Sequence, residues 1–305
     1  MPEKEVKFTS KRKFGVELEF DTYKNQRDLA DVVQNCGEPC EIVSYQHNRN
    51  NRDWFAKPDS SCGFELASRV LSGYKDLRKL GEVVDALRVA GFRYNNSCGQ
   101  HVHISAEDLT NEEINSVIYW WLKIEHFIFN SCESHRRENQ RYCKAAGQII
   151  NTAPLTWNPY ERNDFNVIQK IKENRGAIYL GHLPTTIEFR LGHMSLDSEI
   201  IKNRVRFLIW FVDTCKNTPY PISLEWLPPI EIFKFLGLWN EPNSKIIRKF
   251  SPSIQSMRLW LLNEFKKNAP SANSETYKQD HEMVDYMKQH ITNEQNVLED
   301  DEVLV

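Results

Sequence analysis

The sequence predicts an α+β fold, because strand-like and helix-like segments alternate without a strict β-α-β order. Strands are indicated where apolar and charged residues alternate with a period of two. Helices are indicated where apolar residues recur every three or four positions, as Ile201, Val205 and Leu208 do. No internal repeat organises the chain. The two periodicities and their mixed order define the fold class.

The predicted strands are short and are separated by polar, turn-rich segments. The first, FGVELEF, alternates apolar residues with glutamate, and later segments such as QHVHIS and TIEFRL have the same period. The predicted strands cover residues 14–20, 41–46, 54–57, 63–68, 100–105 and 186–191.

The predicted helices are recognised by their ends as well as by their apolar faces. Gly91 ends one helix, and Thr110 with Glu113 forms a capping box that begins another. Beyond Pro219 the pattern is helical and interrupted by prolines, and the acidic last residues are expected to fray. The predicted helices cover residues 27–36, 74–90, a long segment from 110, 163–173 and 196–216.

Composition excludes several classes of protein. The 305 residues carry 39 Lys plus Arg against 42 Asp plus Glu, a net charge of −3, which argues against general nucleic-acid binding. Hydrophobic residues make up 40%, too many for an extended disordered chain. Lys123, Glu125 and His126 interrupt the best candidate for a membrane span, and residues 1–13 lack an apolar signal core. Seven irregularly spaced cysteines favour the reducing cytoplasm.

Three predicted strands share an unusual feature, which is a pair of ionisable residues at positions i and i+2. Since side chains alternate across a strand, each pair lies on one face, and the apolar residues between them lie on the other. A fourth strand carries one such residue. The residues are Glu17 and Glu19, His101 and His103, Glu188 and Arg190, and the single Glu65.

These residue types indicate a metal and phosphate site. An ordinary solvated sheet face would explain any single pair, but solvated faces favour Lys, Thr, Gln and Ser. Glutamates held close together repel unless a cation neutralises them, and carboxylate oxygens favour Mg²⁺ or Mn²⁺. Arg190 has no role in holding a bare metal and indicates a phosphate. Together these side chains predict a nucleotide site for phosphoryl transfer.

Five motifs in a fixed order carry a family resemblance. They are FGVELEF (14–20), DSSCGFELAS (59–68), GQHVHIS (99–105), RRENQRYCK (136–144) and TIEFR (186–190). With these motifs the chain resembles the putative amidoligase family, a branch of the glutamine synthetase and glutamate–cysteine ligase superfamily of carboxylate–amine ligases. The resemblance runs from about Phe14 to about Phe211.

The resemblance implies a glutamine-synthetase-type catalytic domain, in which a curved antiparallel sheet forms a funnel and helices pack on its outer face. It implies two divalent cations, Mg²⁺ or Mn²⁺. Glu19 and Glu65 would share one cation. Glu17, His101 and Glu188 would hold the other.

The resemblance also implies ATP as cosubstrate. His103 and Arg175 would contact the nucleotide, and Arg190 the transferred phosphoryl group. Arg141 and Tyr142, in the arginine-rich motif, would lie near the phosphates or the substrate carboxylate. The implied catalytic residues are therefore Arg190, Glu65 and Arg141, and the implied nucleotide contacts are His103, Arg175, Arg190 and Tyr142.

The implied activity is an ATP-dependent carboxylate–amine ligation. ATP converts a carboxylate, glutamate-like by default, into an acyl phosphate, and an amine displaces the phosphate to give a peptide-like or isopeptide amide. The partners would be small-molecule or peptide carboxylates and amines, without nucleic acid or membrane, and the oligomeric state stays open. The expected organisation is a catalytic domain over 1–217, a helical accessory region over 218–292 and a flexible acidic tail over 293–305.

Three alternatives remain from the residues alone. The same carboxylates and histidines suit a metal-dependent hydrolase or nuclease. The chain could instead be a catalytically silent scaffold whose C-terminal helices bind a partner. Finally, Cys36 and Cys40 could join His101 and His103 in a zinc site, although the other motifs would then have no explanation.

Overall fold

The protein is described by a computed structural model over residues 4–44, 52–138, 143–149, 164–219, 221, 223, 225–242, 248–270 and 275–303. Within these residues the chain forms ten helices and ten strands in mixed order, so the predicted α+β class is confirmed. The strands are β1 (Lys4–Val6), β2 (Lys13–Phe20), β3 (Cys40–Ile42), β4 (Trp54–Asp59), β5 (Gly63–Ala67), β6 (Leu71–Ser72), β7 (Gly99–Ser105), β8 (Ile178–Tyr179), β9 (Thr186–His193) and β10 (Arg248–Phe250).

Five of the helices were predicted from the sequence. Their starts, and the four ends that the sequence predicted, lie within two residues of the expected positions. The reciprocal hydrogen bonds between Thr110 and Glu113 form as the capping box requires. Gly91, with φ +78°, follows the end of the second helix. The helices are α1 (Gln26–Asn35), α2 (Gly73–Val89), α3 (Asn111–Asn130), α4 (Ser134–Glu138), α5 (Ala146–Ile149), α6 (Asp164–Glu173), α7 (Ser198–Lys216), α8 (Pro229–Phe235), α9 (Pro252–Asn268) and α10 (Glu275–Val303).

The larger sheet has eight described strands and is open at both edges. Its strand order is β3-β4-β5-β2-β7-β9-β8, with β6 paired beside β5 along β2. The expectation of a wholly antiparallel sheet is wrong at one edge, because β3 and β4 run parallel. Eleven residues separate these two strands in the sequence, more than the two that a tight antiparallel hairpin needs. The sheet is therefore mixed.

Two compact units divide the chain, and the larger comprises residues 9–122 and 134–224. It contains the eight-stranded sheet, α1, α2 and α7. Val16, Leu18 and Phe20 on β2 are fully buried, as the period-two pattern predicted for the apolar face. Here too, Trp121 packs against Phe189, with ring centroids 5.2 Å apart. This apolar layer supports the strands that carry the polar pairs.

The second unit comprises residues 1–8, 123–133 and 225–305. Here β1 and β10 pair in parallel, a contact that the sequence did not predict. Phe127 stacks on Phe265 with ring centroids 5.0 Å apart. The backbone is helical through Val303, whereas the flexibility expected of 293–305 and the expected boundaries of the catalytic and accessory regions stay predictions.

A membrane-spanning helix would need about 20 predominantly apolar residues. Within the described part of the chain, no helix combines sufficient length with sufficient apolar character to cross a bilayer.

Candidate active site

The ionisable residues of four strands, three pairs and the single Glu65, meet on one face of the larger sheet because of its strand register. β2 lies between β5 and β7. Glu19 stands opposite Glu65 on β5, and Glu17 stands opposite His101 on β7. His103 in turn stands opposite Glu188 on β9. The sequence predicted that the two ionisable side chains of each strand lie on the same face of that strand. The register then places the ionisable side chains of neighbouring strands beside one another on one face of the sheet.

The centre of this face is a cluster of Glu17, His101 and Glu188. The Nδ1 atom of His101 lies 3.3 Å from Oε2 of Glu17 and 3.6 Å from Oε1 of Glu188. Each residue offers one ligand atom, and these atoms all lie within 4.8 Å of one another. All three side chains are at most 11% exposed. Two carboxylates and an imidazole at this spacing can hold a divalent cation.

His182 extends the cluster, although the sequence analysis did not find it. It lies outside the regular strands, in the turn between β8 and β9. Its Nε2 atom lies 3.1 Å from Oε2 of Glu188, and its ring centroid is 5.3 Å from that of His103. His103, His182 and Glu188 form a second group of closely spaced ligand atoms. His182 could not be predicted from the sequence, because a residue in a turn has no period-two pattern around it.

A register shift between β7 and β9 occurs at His101. Gln100 pairs with Gly192 and Val102 pairs with Phe189, so one residue of β7 stands opposite both Arg190 and Leu191. Such a bulge changes the direction of nearby side chains and is common beside active sites. The Arg190 guanidinium bonds to the Glu188 carboxylate on this same face, as the i, i+2 spacing predicted.

The remaining two glutamates are both engaged by groups of the protein. Oε1 of Glu65 lies 2.6 Å from Nζ of Lys57 on β4, and Lys57 stands opposite Glu65 in the register. Glu19 accepts a hydrogen bond from the backbone N–H of Gly99 and lies 3.5 Å from Nε2 of His101. Lys57 was not among the predicted site residues, because it is a single cation at the end of a predicted strand whose other residues are apolar.

The electrostatics favour charged carboxylates despite their burial. Burial alone would raise the pKa of Glu188, but the His182 hydrogen bond and the charges of His103, His101 and Arg190 outweigh it and lower the pKa to about 2. Glu17 follows the same pattern. Its burial is outweighed by His101, His103 and Lys57, so its pKa lies well below its usual range. Both carboxyl groups are therefore anionic at neutral pH, as the ligands of a divalent cation would be.

Arg190 is buried with the carboxylates, and its charge is secured by them. Burial lowers its pKa, but Glu188 and Glu17 raise it more, so the net pKa of Arg190 lies above its usual value. The guanidinium remains positive in this setting and can meet an anion.

Two adjoining cavities lie along the polar face. The first, about 220 Å³, contains most of the predicted site residues and further ones that the sequence did not mark. The second, about 400 Å³, is more apolar and includes His103, Phe14, Phe55 and Val70. Glu17 lines both. The charged and histidine residues of the first cavity are Glu17, Glu19, Lys57, Asp59, Glu65, His101, Arg136, Arg175, His182, Glu188 and Arg190.

The predicted phosphate-binding arginines are only partly described. Arg175 lines the first cavity, with its guanidinium carbon 6.0 Å from the centre of the Tyr179 ring. Arg136 also lines it and donates to the Arg190 carbonyl at 2.8 Å, a position the sequence analysis did not assign. Arg141 and Tyr142 lie outside the described residues, and their predicted contacts stay predictions.

Two cysteines lie beside Glu19. Cys62, Asp59 and Glu19 form a third group of closely spaced ligand atoms. A hydrogen bond with Cys98 raises the pKa of the Cys62 thiol and lowers that of Cys98. Among the described residues, the groups that could hold a metal include neither Cys36 nor Cys40.

Comparison with known proteins identifies the family of this site. A model of the family described as "Putative amidoligase enzyme" matches residues 10–212, about two thirds of the chain. The chain therefore belongs to this family, whose description is that of a ligase-type enzyme, and the resemblance carried by the five motifs is confirmed. The match covers all four strands that carry the polar face. A search of the curated proteins finds no match.

Proposed function

We propose that this chain is an ATP- and Mg²⁺- (or Mn²⁺-) dependent amidoligase. It would join a carboxylate, glutamate-like by default, to an amine through an acyl phosphate and form a peptide-like or isopeptide bond. The observation that carries the proposal is the meeting of Glu17, His101 and Glu188 beside the Arg190 guanidinium. A cation site beside a fixed positive group suits a metal-bound nucleotide and the transfer of its phosphoryl group.

The donor set of one proposed cation fits a divalent metal. Glu17, His101 and Glu188 are buried, closely spaced and partly anionic, as Mg²⁺ and Mn²⁺ ligands are. A cation held there would neutralise negative charge on the phosphates. The donor set of the other implied cation fits less well, because Lys57 already contacts Glu65.

The different linings of the two cavities indicate where the nucleoside and the phosphates of ATP would bind. The second cavity has apolar walls that suit a nucleoside, whereas the first contains the guanidiniums of Arg136, Arg175 and Arg190. Glu17 borders both cavities, and His103 contributes to the second. We expect the phosphates to pass His103 and Glu17 and to end at Arg190, where charge builds during transfer.

The chemistry assigns further roles to the chain. A carboxylate oxygen of the substrate attacks the γ-phosphorus of ATP, ADP leaves, and the product is an acyl phosphate. The amine nitrogen then attacks the acyl carbon, inorganic phosphate leaves, and the amine proton is lost. Arg190 would stabilise the transferred phosphoryl group, and the glutamates of the first cavity would hold the amine while it is still an ammonium. Arg141 and Tyr142 retain their proposed contacts with the substrate carboxylate or phosphates.

The proposal includes the fold that the family resemblance implied. The polar face of the open sheet would be the wall of a glutamine-synthetase-type funnel, within a catalytic domain over 1–217. The region 218–292 would be accessory. This part of the proposal is supported by the position of every described site residue within residues 9–122 and 134–224.

The activity can be tested with the purified full chain, Mg²⁺ and ATP against a panel of amino-acid carboxylates and primary amines. We expect ADP release that requires both a carboxylate and an amine, with the amide identified by mass spectrometry. Arg190→Ala should lower turnover by at least about 100-fold, because a charge-stabilising group at the reacting phosphate is lost. Arg88→Ala, an exposed arginine of α2 paired with Asp85, is the matched control and should keep full turnover.

Three results would contradict the proposal. Full turnover in Arg190→Ala would remove its central residue. Metal-dependent cleavage of a phosphodiester without ADP release would favour the hydrolase or nuclease alternative. Absence of Mg·ATP binding by calorimetry would favour the silent scaffold.

A further inference from the structure

Lys57 is the strongest feature that the proposed function leaves unexplained. It lies on β4, stands opposite Glu65 across the β4–β5 pair, and its side chain is only 16% exposed. Its Nζ atom lies 2.6 Å from Oε1 of Glu65 and 3.7 Å from Oε1 of Glu17. The ammonium therefore bridges two carboxylates of the first cavity.

An ammonium in this position neutralises the negative charge that a metal ion would otherwise neutralise. Glu19 and Glu65 stand opposite one another on β2 and β5, where two like charges repel unless a cation is near. Lysine supplies a compact point charge with three donors. The Lys57 ammonium forms a close ion pair with the Glu65 carboxylate, both side chains being at most 16% exposed. A divalent cation shared by Glu19 and Glu65 would have to compete with it.

Glu19, the second carboxylate that would hold this implied cation, also has contacts within the protein. One oxygen of Glu19 accepts the Gly99 N–H, and the other lies 3.5 Å from Nε2 of His101. Among the described residues, Glu65 belongs to no group of converging ligand atoms, and Glu19 converges with Asp59 and Cys62 instead of with Glu65. The ligand atoms of Glu17, His101 and Glu188, by contrast, converge on one another. The two proposed cation positions are not equivalent in this chain.

The charges of the described lining agree with a single cation. The first cavity carries five carboxylates against four positive side chains, which are Lys57, Arg136, Arg175 and Arg190. The formal sum is −1, so one divalent cation reverses its sign and two would leave a strongly positive cavity before any nucleotide binds. Buried charge without a partner is costly, so the smaller number is favoured.

We infer that Lys57 is a built-in cation of the site, and that the chain itself holds one divalent cation, at Glu17, His101 and Glu188, instead of two. The inference deepens the proposed function and rests on it for the identity of the cavity. Lys57 is a positioning residue on this account. It fixes Glu65 and Glu17 and leaves Glu65 free of the role of metal ligand.

The test is a count of bound Mn²⁺ on the full chain without nucleotide or substrate, by the electron paramagnetic resonance signal of free Mn²⁺. The wild type should bind one Mn²⁺ per chain. Lys57→Met should bind two, because the ammonium that competes for Glu65 is removed and the facing carboxylates of Glu19 and Glu65 again need a cation. Lys57→Arg keeps the charge and should bind one. Lys13→Met, an exposed lysine paired with Glu107, is the matched control and should also bind one.

A pair of glutamate variants gives a second reading that does not need Lys57→Met to fold. Glu65→Gln should keep the single Mn²⁺ with its Kd within about twofold, whereas Glu188→Gln should weaken that Kd at least about tenfold. A wild type that binds two Mn²⁺ or none, a folded Lys57→Met that binds one, or a loss of Mn²⁺ in Glu65→Gln would each overturn the inference.

The number of bound Mn²⁺ ions is measured without turnover. The amidoligase activity and the role of Lys57 can therefore be contradicted independently of one another. One Mn²⁺ per chain without carboxylate- and amine-dependent ADP release would contradict the amidoligase activity alone. Two Mn²⁺ per chain with such ADP release would contradict the role of Lys57 alone.

Discussion

Arg12 shows at the scale of single residues how the larger unit holds the start of its sheet in place. Its side chain is 6% exposed and its Nε atom lies 2.6 Å from Oδ1 of Asp213 on α7. Its Nη1 atom donates to the Ser105 carbonyl at 2.7 Å and to Asp108 at 2.5 Å. Charge-assisted hydrogen bonds from a buried guanidinium are the strong kind, so this contact stabilises the entry into β2.

We predict that Arg12→Met lowers the free energy of unfolding by about 2 kcal/mol, since its partners lose charged hydrogen bonds but remain partly exposed and can be solvated. Urea denaturation measures the change. Lys13→Met is the control, because Lys13 and Glu107 are both more than half exposed, and it should change stability by less than about 0.5 kcal/mol. Equal effects of the two variants would contradict the argument.

The ion pair of Arg12 and Asp108 should make the free energy of unfolding depend on pH. Burial raises the pKa of Asp108, but hydrogen bonds and charges from Arg12 and Lys216 outweigh it and lower the pKa from 3.8 to about 2. A carboxyl whose pKa is depressed in the folded state stabilises the protein above its ordinary pKa and loses that effect as pH falls toward 2. The stability gap between wild type and Arg12→Met should therefore shrink as the pH falls from about 4 to about 2. A gap that widens on acidification would contradict this prediction.

Residue types alone revealed much of the candidate site. Glu17, Glu19, His101 and Glu188 were recognisable because ionisable residues at i and i+2 within apolar strands are unusual. Lys57 was not, because a single lysine in a short strand is what a solvated face normally shows. Its meaning depends on the strand that pairs with it, which the local sequence does not encode.

At the scale of elements, β9 separates the chemistry of the site from its support. Glu188 and Arg190 lie on the polar face, whereas Phe189 between them is 3% exposed on the other. Phe189 packs against Trp121 and Phe211, with ring centroids 5.2 and 6.4 Å away. The strand is therefore fixed by its apolar side and free to present charge on the other.

We predict that Phe189→Ala lowers the free energy of unfolding by about 3–5 kcal/mol, because it leaves a cavity in a packed aromatic cluster. Phe189→Leu should cost less, since it keeps most of the buried volume. Chemical denaturation measures both. If the alanine variant were as stable as the leucine variant, Phe189 would not be packed as described.

The elements themselves were largely predictable, whereas their arrangement was not. Helix ends followed from local signals such as the Thr110 capping box, which forms within four residues of sequence. The strand order and the parallel β3–β4 edge depend on contacts between distant residues. The β1–β10 pair joins segments more than 240 residues apart, and short three-residue strands carry too little periodicity to be found.

At the scale of the molecule, the candidate site belongs to one of the two units. Every residue that lines the two cavities falls within 9–122 and 134–224. The second unit has its own buried charge, Arg258, whose Nη1 atom lies 2.9 Å from Glu294 and whose guanidinium lies 4.0 Å from the Phe250 ring centre. Because the candidate site and Arg258 lie in different units, we expect a substitution in the second unit to change the stability of the protein without changing nucleotide binding.

We predict that Arg258→Met lowers the melting temperature of the protein but leaves the Kd for Mg²⁺ with a non-hydrolysable ATP analogue within about twofold. Removing Arg258 from this buried ion pair leaves Glu294 with the His290 imidazole alone, 3.2 Å away. Breaking a buried ion pair typically costs about 3–5 kcal/mol, and His290 places the expected loss at the lower end of that range. Scanning calorimetry and titration calorimetry measure the two quantities at a temperature below the first transition. Weaker nucleotide binding at unchanged stability would contradict this separation.

The most direct test of the central claim is a crystal structure of the full chain with Mn²⁺ and a non-hydrolysable ATP analogue, in which the anomalous signal locates the metal. We predict Mn²⁺ bound by Glu17, His101 and Glu188, with the terminal phosphate of the analogue in contact with Arg190. A nucleotide bound away from this face, or a metal whose protein ligands exclude all three of these residues, would contradict it.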